Sequence, residues 1–184
     1  MMKLTKSKNV DELCYPFIYE HSYLCDYEIH TDAMCRQIGG LIAAMPGDCD
    51  DLRAELEHLQ PLIYHLNGSI RGKCAVSESD LEWLLECYRA HKKATEGCLD
   101  GFVLPRGEAP VPQLNAASSD AKKAIRLMVR IHQKEAREIP DVLHRFCNLL
   151  CNYFFTLTIL INKRRGLEEI PFASKSYRMP KRSQ

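Results

Sequence analysis

The sequence has almost no net charge and no apolar run long enough to cross a bilayer. Each of these absences argues against one class of partner. Its 25 Lys and Arg residues are balanced by 24 Asp and Glu residues, which leaves a formal net charge of +1 at pH 7. This balance provides no basic field for binding nucleic acid. The longest apolar run, around Tyr153 to Ile161, is too short for a membrane span and indicates a buried helix. We therefore expect neither a nucleic-acid partner nor a membrane partner.

Closely spaced cysteine pairs and an export signal are also missing. Nine cysteines are present, yet no two of them form a C-x-x-C pair, which disfavours a structural zinc site. The opening residues MMKLTKSKN have no apolar stretch behind their basic side chains, unlike a secretory signal. The sequence therefore predicts a cytoplasmic protein with reduced thiols and no protein-bound metal.

Strand-like alternation is absent as well, and helical periodicity dominates. The five predicted helical segments run from about Tyr19 to Ala44, from near Asp48 to before Gly68, from a capping box at Ser79 and Glu82 to near Gly97, from about Gln113 to Glu138, and from Asp141 to near Arg165. Mostly short loops join them, so the predicted fold is an all-α, five-helix antiparallel bundle. We expect one domain over residues 1–184, with a core at about 19–165 and a polar C-terminal tail at 166–184.

An irregular connector separates the third and fourth segments. Its sequence, GFVLPRGEAPVPQ from Gly101 to Gln113, contains three prolines and two glycines, so it cannot form a continuous helix. Phe102, Val103 and Leu104 favour an ordered conformation, because leaving all three apolar side chains in water would be unfavourable.

Four sequence blocks, one of them in this connector, match motifs of one enzyme family. The connector block FVLPRG at 102–107 is similar to an F-[VI]-L-P-G-G motif between the third and fourth helices of that family. LNAASSDAKKAIR at 114–126 resembles its phosphate motif L-H-x-A-R-x-x-x-R-R-x-E-R, and LHRFCNLL at 143–150 resembles L-N-R-L-S-D-L-L. DAMCRQIG at 32–39 resembles D-E-L-N-S-x-I-G. Over roughly residues 26–165 the chain thus resembles a divergent corrinoid adenosyltransferase of the propanediol- and ethanolamine-utilisation type.

The resemblance implies a fold, an activity and an assembly. The fold would be a cobalamin-adenosyltransferase-like bundle, assembled as a homotrimer with active sites between subunits. The activity would be that of an ATP:cob(I)alamin adenosyltransferase, which transfers the 5′-deoxyadenosyl group of ATP to the cobalt of a reduced corrinoid and makes adenosylcobalamin. ATP, Mg²⁺ and cobalamin are the implied ligands. The implied protein partner is a corrinoid reductase or a cobalamin-dependent enzyme.

The fourth segment supplies cations for the implied reaction. Triphosphate gains negative charge as it leaves the 5′ carbon of ATP, so cationic groups and usually Mg²⁺ must face it. The resemblance assigns this role to Lys122, Lys123 and Arg126, of which Lys122 and Arg126 share one helix face. Of the charged positions in the family motif only Arg126 is retained, since Ser118 replaces the leading Arg, Lys122 and Lys123 replace the Arg pair, and Ile125 replaces the Glu. The alternative interpretation of the cations is a solvated basic face.

Phe102 and Asp32 are the further residues that the resemblance places at the site. Phe102 would lie near the lower face of the corrin, disfavour an axial cobalt ligand and make the cobalt easier to reduce. Its alternative role is an apolar anchor that holds the connector in the core. Asp32 would pair with the leading Arg of the phosphate motif, a partner that Ser118 removes. We assign catalytic roles to Phe102, Lys122 and Arg126.

The fifth segment adds His144, Arg145 and Asn148, which occupy the N, R and D positions of the family's L-N-R-L-S-D-L-L motif. The resemblance implies that they bind ligand, together with Asp32 and the residues above. His144, Cys147 and Cys151 lie on one helix face, a spacing that could also bind a soft metal. A buried helix with small thiols in its core has the same spacing.

Two other functions stay open beside the transferase. The altered phosphate motif, with Ser118 and Ile125, fits a catalytically weakened relative that binds or delivers a corrinoid. The family's glycine-rich T-x-T-G-D-x-G loop has no counterpart near Thr5 to Asn9, but the ethanolamine-utilisation branch lacks that loop too, so its absence does not exclude activity. A helical partner-binding module without a ligand is the third candidate, and it leaves the Phe102 connector unexplained.

Overall fold

Five α-helices make up most of the structure. The computed structural model describes residues 4–176, with helices α1 (Tyr23–Ala44), α2 (Asp50–Ser69), α3 (Glu78–Ala94), α4 (Val111–Glu135) and α5 (Asp141–Arg164). Strands β1 (Val103–Leu104) and β2 (Ile170–Pro171) form a two-stranded antiparallel ladder. Within residues 4–176 no helix is long and apolar enough to cross a membrane. The predicted all-α five-helix bundle is confirmed.

The helices pack around one apolar core. α1 packs against α2 and α4, α4 packs against α5, and α5 packs against α3. Side chains then connect α3 to α2. The ring centroids of His58 and Trp83 lie 4.1 Å apart, and His91 Nε2 lies 2.8 Å from Glu55 Oε2. The bundle therefore closes on itself, and no helix lies apart from the core.

The contact between α4 and α5 is the most extensive in the bundle. It depends on small buried residues of α4, which let α5 approach closely: Ala117, Ala121 and Ala124. α5 fills the core with fully buried aromatic side chains, namely Phe146, Tyr153 and Phe154. Burying such a side chain contributes roughly 1.5–3 kcal/mol. This contact fixes the orientation of α4, and therefore which of its residues face outward.

The first helix begins at Tyr23 rather than at about Tyr19, and its cap explains the difference. Ser22 has extended backbone, and its Oγ accepts a hydrogen bond from Leu24 N. Ser22 Oγ also donates to Glu135 Oε2 at 2.8 Å, and Tyr23 N donates to Glu135 Oε1 at 2.5 Å. A serine cap and a carboxylate at the helix N-terminus both stabilise this start.

The start of α3 also differs from the prediction. The capping box uses Ser77 and Asp80 rather than Ser79 and Glu82. Asp80 N donates to Ser77 Oγ at 3.2 Å, and Ser77 N donates to Asp80 Oδ2 at 2.8 Å. Two serine–acid pairs with the capping-box spacing lie within six residues here, so the spacing alone does not identify the cap.

The segment after α5 has a structure that the predicted polar tail did not include. Pro171 pairs with Val103 and Ile170 pairs with Leu104, and Phe172 N donates to Phe102 O at 2.8 Å. Two-residue strands leave no alternation that a sequence pattern could reveal. Residues 177–184 of the predicted tail lie outside the described residues.

Candidate functional site

The predicted cations lie on the outer face of α4. Lys122, Lys123 and Arg126 are all exposed, since the adjoining alanines take the buried positions. Lys123 Nζ forms an ion pair with Asp120 Oδ1 at 2.7 Å. Within residues 4–176, the side chains of Lys122 and Arg126 have no hydrogen-bond or ion-pair partner. Two cations one helical turn apart are therefore available for an anion.

A groove of about 380 Å³ runs beside this face, between α4 and the start of α5. Its lining combines apolar residues with two histidines: Ile125, Met128, Val129, His132, Gln133, Ile139 and His144. Lys122 and Arg126 do not line the groove, but spacings of four and three place both on the same helix face as Val129, which does. Ile125, which replaces the family's Glu, makes this wall apolar. The arrangement suits a ligand with an apolar ring and an anionic group.

Of the three predicted residues on α5, only His144 reaches the groove. Its Nε2 lies 2.9 Å from Asp141 Oδ1. Arg145 Nη1 donates to Asp141 Oδ2 at 3.2 Å and to Glu78 Oε1 at 2.9 Å. These hydrogen bonds, first that to Asp141 and then that to Glu78, raise the pKa of Arg145. Asn148 Nδ2 donates to His144 O at 2.8 Å, so Arg145 and Asn148 are both held by other partners.

The thiols of α5 have a packing role. Cys147 is fully buried, and this burial raises the pKa of its thiol to about 12. Cys151 Sγ lies 3.5 Å from Ser118 Oγ. Within the described part of the chain, residues 4–176, no group of three His, Cys, Asp or Glu side chains could hold a metal ion. Cys147 is buried and Cys151 is half-buried, whereas the His144 side chain is 44% exposed and lines the groove, so the three residues do not share one buried face.

In the family, an Arg at the position of Ser118 pairs with the Asp at the position of Asp32. In this structure the two residues contact different partners. Ser118 is 7% exposed, and its Oγ donates to Cys151 O at 3.0 Å. Asp32 instead accepts from Arg36 Nε at 2.7 Å and from Tyr64 Oη at 3.1 Å. The hydrogen bond from Arg36 is the main cause that lowers the pKa of Asp32. Asp32 thus has a cationic partner on its own helix, where the sequence indicated that it had lost one.

Phe102 lies at the surface of the subunit. Its side chain is 52% exposed, whereas Val103 and Leu104 are half-buried. The alternative in which Phe102 anchors the connector in the core is therefore wrong for the subunit. Phe172, which follows β2, is also exposed, so two exposed aromatic side chains flank the ladder.

Two residues at the end of α5, which no sequence motif identifies, hold this connector in place. Asn162 is buried in the last turn of α5, and its Nδ2 donates to Arg106 O at 2.9 Å. Arg165 Nη1 donates to Ala109 O at 2.9 Å. The one feature of the sequence that points to Asn162 is its place directly after the apolar run that ends at Ile161.

Known proteins are similar to this chain in sequence. A family model described as "Cobalamin adenosyltransferase" matches residues 30–161. A cobalamin adenosyltransferase from Cupriavidus metallidurans is 27% identical over 133 residues, which is 71% of this chain and 71% of that protein. A corrinoid adenosyltransferase from Bacillus subtilis is 27% identical over 139 residues, which is 71% of this chain and 68% of that protein.

Solved structures have the same fold. A variant of the PduO-type ATP:corrinoid adenosyltransferase from Lactobacillus reuteri, complexed with cobalamin and ATP, superimposes with a TM-score of 0.75 at 18% identity. That match covers 84% of this chain and 86% of the solved chain. A second variant of that enzyme, complexed with ATP, also has a TM-score of 0.75, at 19% identity and with 84% and 90% coverage. The family match spans well over half of the sequence, so the chain belongs to the cobalamin adenosyltransferase family.

Proposed function

We propose that this protein is an ATP:corrinoid adenosyltransferase that makes adenosylcobalamin from ATP and a reduced corrinoid. The observation that carries this proposal is the free cation pair of Lys122 and Arg126, which lies in the family's phosphate motif and on the same helix face as Val129 of an apolar groove. The cations suit a triphosphate, and the groove suits the adenosine. His144 lines the groove and would contact the nucleoside.

The reaction is a nucleophilic displacement in which both reacting groups are substrates. The cobalt(I) of the corrinoid donates its electron pair to the 5′ carbon of ATP, the bond from that carbon to the triphosphate oxygen breaks, and the triphosphate leaves with the bonding electrons. Lys122 and Arg126 would stabilise the charge that grows on the leaving group. Arg126 can donate two parallel hydrogen bonds to a phosphate, whereas Lys122 acts as a point charge.

Mg²⁺ would accompany the nucleotide. This ion usually takes substrate phosphates and water as ligands, with few protein side chains. The site fits this mode, because the side chains that line the groove are apolar or carry an amide or an imidazole, and none of these lining side chains is a carboxylate. Bound in this way, Mg²⁺ would neutralise part of the triphosphate charge.

Phe102 would contact the corrinoid from the connector. A half-exposed aromatic ring on an ordered ladder offers an apolar surface to a corrin face. Asp32, Lys123, Arg145 and Asn148 stay predicted ligand contacts. Arg145 would first have to release Glu78 and Asp141.

We propose a homotrimer as the working assembly, in the cytoplasm. Both ligand surfaces are open on the isolated subunit, and a neighbouring subunit would cover them. Sedimentation equilibrium is expected to give three times the mass of one chain. A monomer that persists at all concentrations would contradict an intersubunit site.

A weakened relative that binds or delivers a corrinoid is the second candidate. Ser118 and Ile125 favour it, because they remove an arginine and a glutamate from the nucleotide side while leaving the connector intact. The two candidates differ in one experiment, in which the protein is mixed with ATP, Mg²⁺ and cob(I)alamin and the visible spectrum is followed. Adenosylcobalamin that accumulates over many turnovers supports the transferase. A spectral shift of bound corrinoid that occurs without cobalt–carbon bond formation supports the second candidate.

A further inference from the structure

Asn162 joins three parts of the structure through one amide group. It is 3% exposed, and its Nδ2 donates to Arg106 O at 2.9 Å and to Glu169 Oε1 at 2.8 Å. Arg106 belongs to the Phe102 connector, and Glu169 leads into β2. Leu167 N also donates to Asn162 O at 2.9 Å. The end of α5 thus holds the connector and the C-terminal segment together.

The oxygen of the same amide packs against the connector backbone. A Cβ atom on Gly107 would lie 2.6 Å from Asn162 Oδ1 and 2.7 Å from Val111 Cγ1, and Gly107 has φ of +153°. Only glycine fits this conformation and this space. The amide therefore also determines where the turn at Arg106 and Gly107 lies.

Packing alone does not explain an asparagine at this position. Among the side chains that the structure describes in residues 4–176, Asn162 Oδ1 is the only buried polar atom without a hydrogen-bond partner. A buried unpaired oxygen is unfavourable, so leucine, of similar size, would fill the same space at lower cost. What leucine cannot provide is the pair of hydrogen bonds to Arg106 and Glu169.

The position of Phe102 depends on these backbone contacts. Its ring is half-exposed, so the core does not hold it, and its carbonyl is held by Phe172 N. We infer that Asn162 is a positioning residue that fixes the Phe102 connector for contact with the corrinoid. This inference rests on the proposed function, and it assigns Asn162 no contact with a ligand.

The test compares Asn162→Leu with Thr158→Val in the full-length protein. Thr158 lies one turn earlier on α5 and donates only to Phe155 O of its own helix, so it is a matched control. Hydrogen exchange of the amides at 102–107 is expected to be about tenfold faster in Asn162→Leu, from the loss of one or two hydrogen bonds. The spectrum of bound cob(II)alamin should lose its four-coordinate signal, while ATP affinity stays unchanged. Thr158→Val should behave like the parent in all three measurements.

Two results would overturn the inference. One is parent-like exchange at 102–107 in Asn162→Leu, and the other is a lower melting temperature with an unchanged cob(II)alamin spectrum. If Asn162→Leu does not fold, Glu169→Ala replaces it, because that change removes one acceptor near the surface and should also accelerate exchange. A parent protein that gives no four-coordinate signal would refute the corrinoid function instead. The exchange data would then decide separately whether Asn162 holds the connector.

Discussion

The two halves of the proposed site are built in different ways. The triphosphate contacts of the nucleotide half lie on one regular helix, where the spacing of Lys122 and Arg126 alone sets their geometry. The corrinoid half is assembled from distant segments, since Phe102 depends on Asn162 and on residues 170–172. Substitutions in the first half should change ligand binding locally. Substitutions in the second half should act through the conformation of the connector.

The largest expected effect is on stability, and it distinguishes a core aromatic residue from the aromatic residue of the corrinoid half. Phe154 is fully buried, so Phe154→Ala should lower the free energy of unfolding by roughly 3–5 kcal/mol. Phe102→Ala should lower it by less than about 1 kcal/mol, because the ring is half-exposed, and yet slow adenosylation strongly. Urea denaturation and the rate of adenosylcobalamin formation measure the two effects. A large loss of stability in Phe102→Ala would show that its role is in packing.

The nucleotide half should respond through ATP affinity alone. Lys122→Ala and Arg126→Ala each remove a charge-assisted contact, which should cost about 1.5–3 kcal/mol of binding, or roughly 10- to 150-fold in Kd. Calorimetric titration with ATP and Mg²⁺ measures this change, and the unfolding curve should stay that of the parent. Lys134→Ala, an exposed lysine of the last turn of α4, is the charge-matched control and should bind ATP normally. If both test variants bind ATP with the affinity of the parent, Lys122 and Arg126 belong to a solvated basic face and do not bind the nucleotide.

A pair of glycine substitutions sharpens the contrast between helix and connector. Gly107→Ala should destabilise the protein by about 1–3 kcal/mol, because the backbone is strained for alanine and Asn162 Oδ1 occupies the space. Gly68→Ala should stabilise it by about 0.5–1 kcal/mol, since Gly68 is helical with nothing within 4 Å of the added Cβ. The melting temperatures of both variants show whether each substitution stabilises or destabilises the protein. A change in stability of the same sign in both variants would contradict the close packing at Gly107.

The smallest effect concerns Asp32. The hydrogen bond from Arg36 lowers the pKa of Asp32 in the folded protein, so this contribution to stability is present above the unfolded pKa, near 4. It is lost as the pH falls through the lower folded pKa. Asp32→Asn should therefore cost less than about 1 kcal/mol at pH 7 and less still at pH 3. Arg36→Gln should show the same pattern in urea unfolding at the two pH values, whereas a pH-independent loss would refute the ion pair.

The contrast between the two halves also explains what could be predicted from the sequence. The helices and the outward position of Lys122 and Arg126 follow from a local repeat of three and four residues. Helix starts are predicted less accurately: Ser77 competes with Ser79 as the cap of α3, and α1 begins after the Ser22 cap rather than at about Tyr19. The roles of Asn162 and of residues 170–172 depend on contacts over more than fifty residues of sequence. No local pattern contains that information.

A crossed measurement on Lys122→Ala and Phe102→Ala tests the division of the site most directly. ATP affinity and the spectrum of bound cob(II)alamin would be recorded for both variants and for the parent. We predict that Lys122→Ala weakens ATP binding and keeps the four-coordinate cob(II)alamin signal when ATP is saturating. Phe102→Ala should bind ATP like the parent and lose that signal. If each variant disturbs both ligands equally, or if Phe102→Ala keeps the parent spectrum, the assignment of the two halves is wrong.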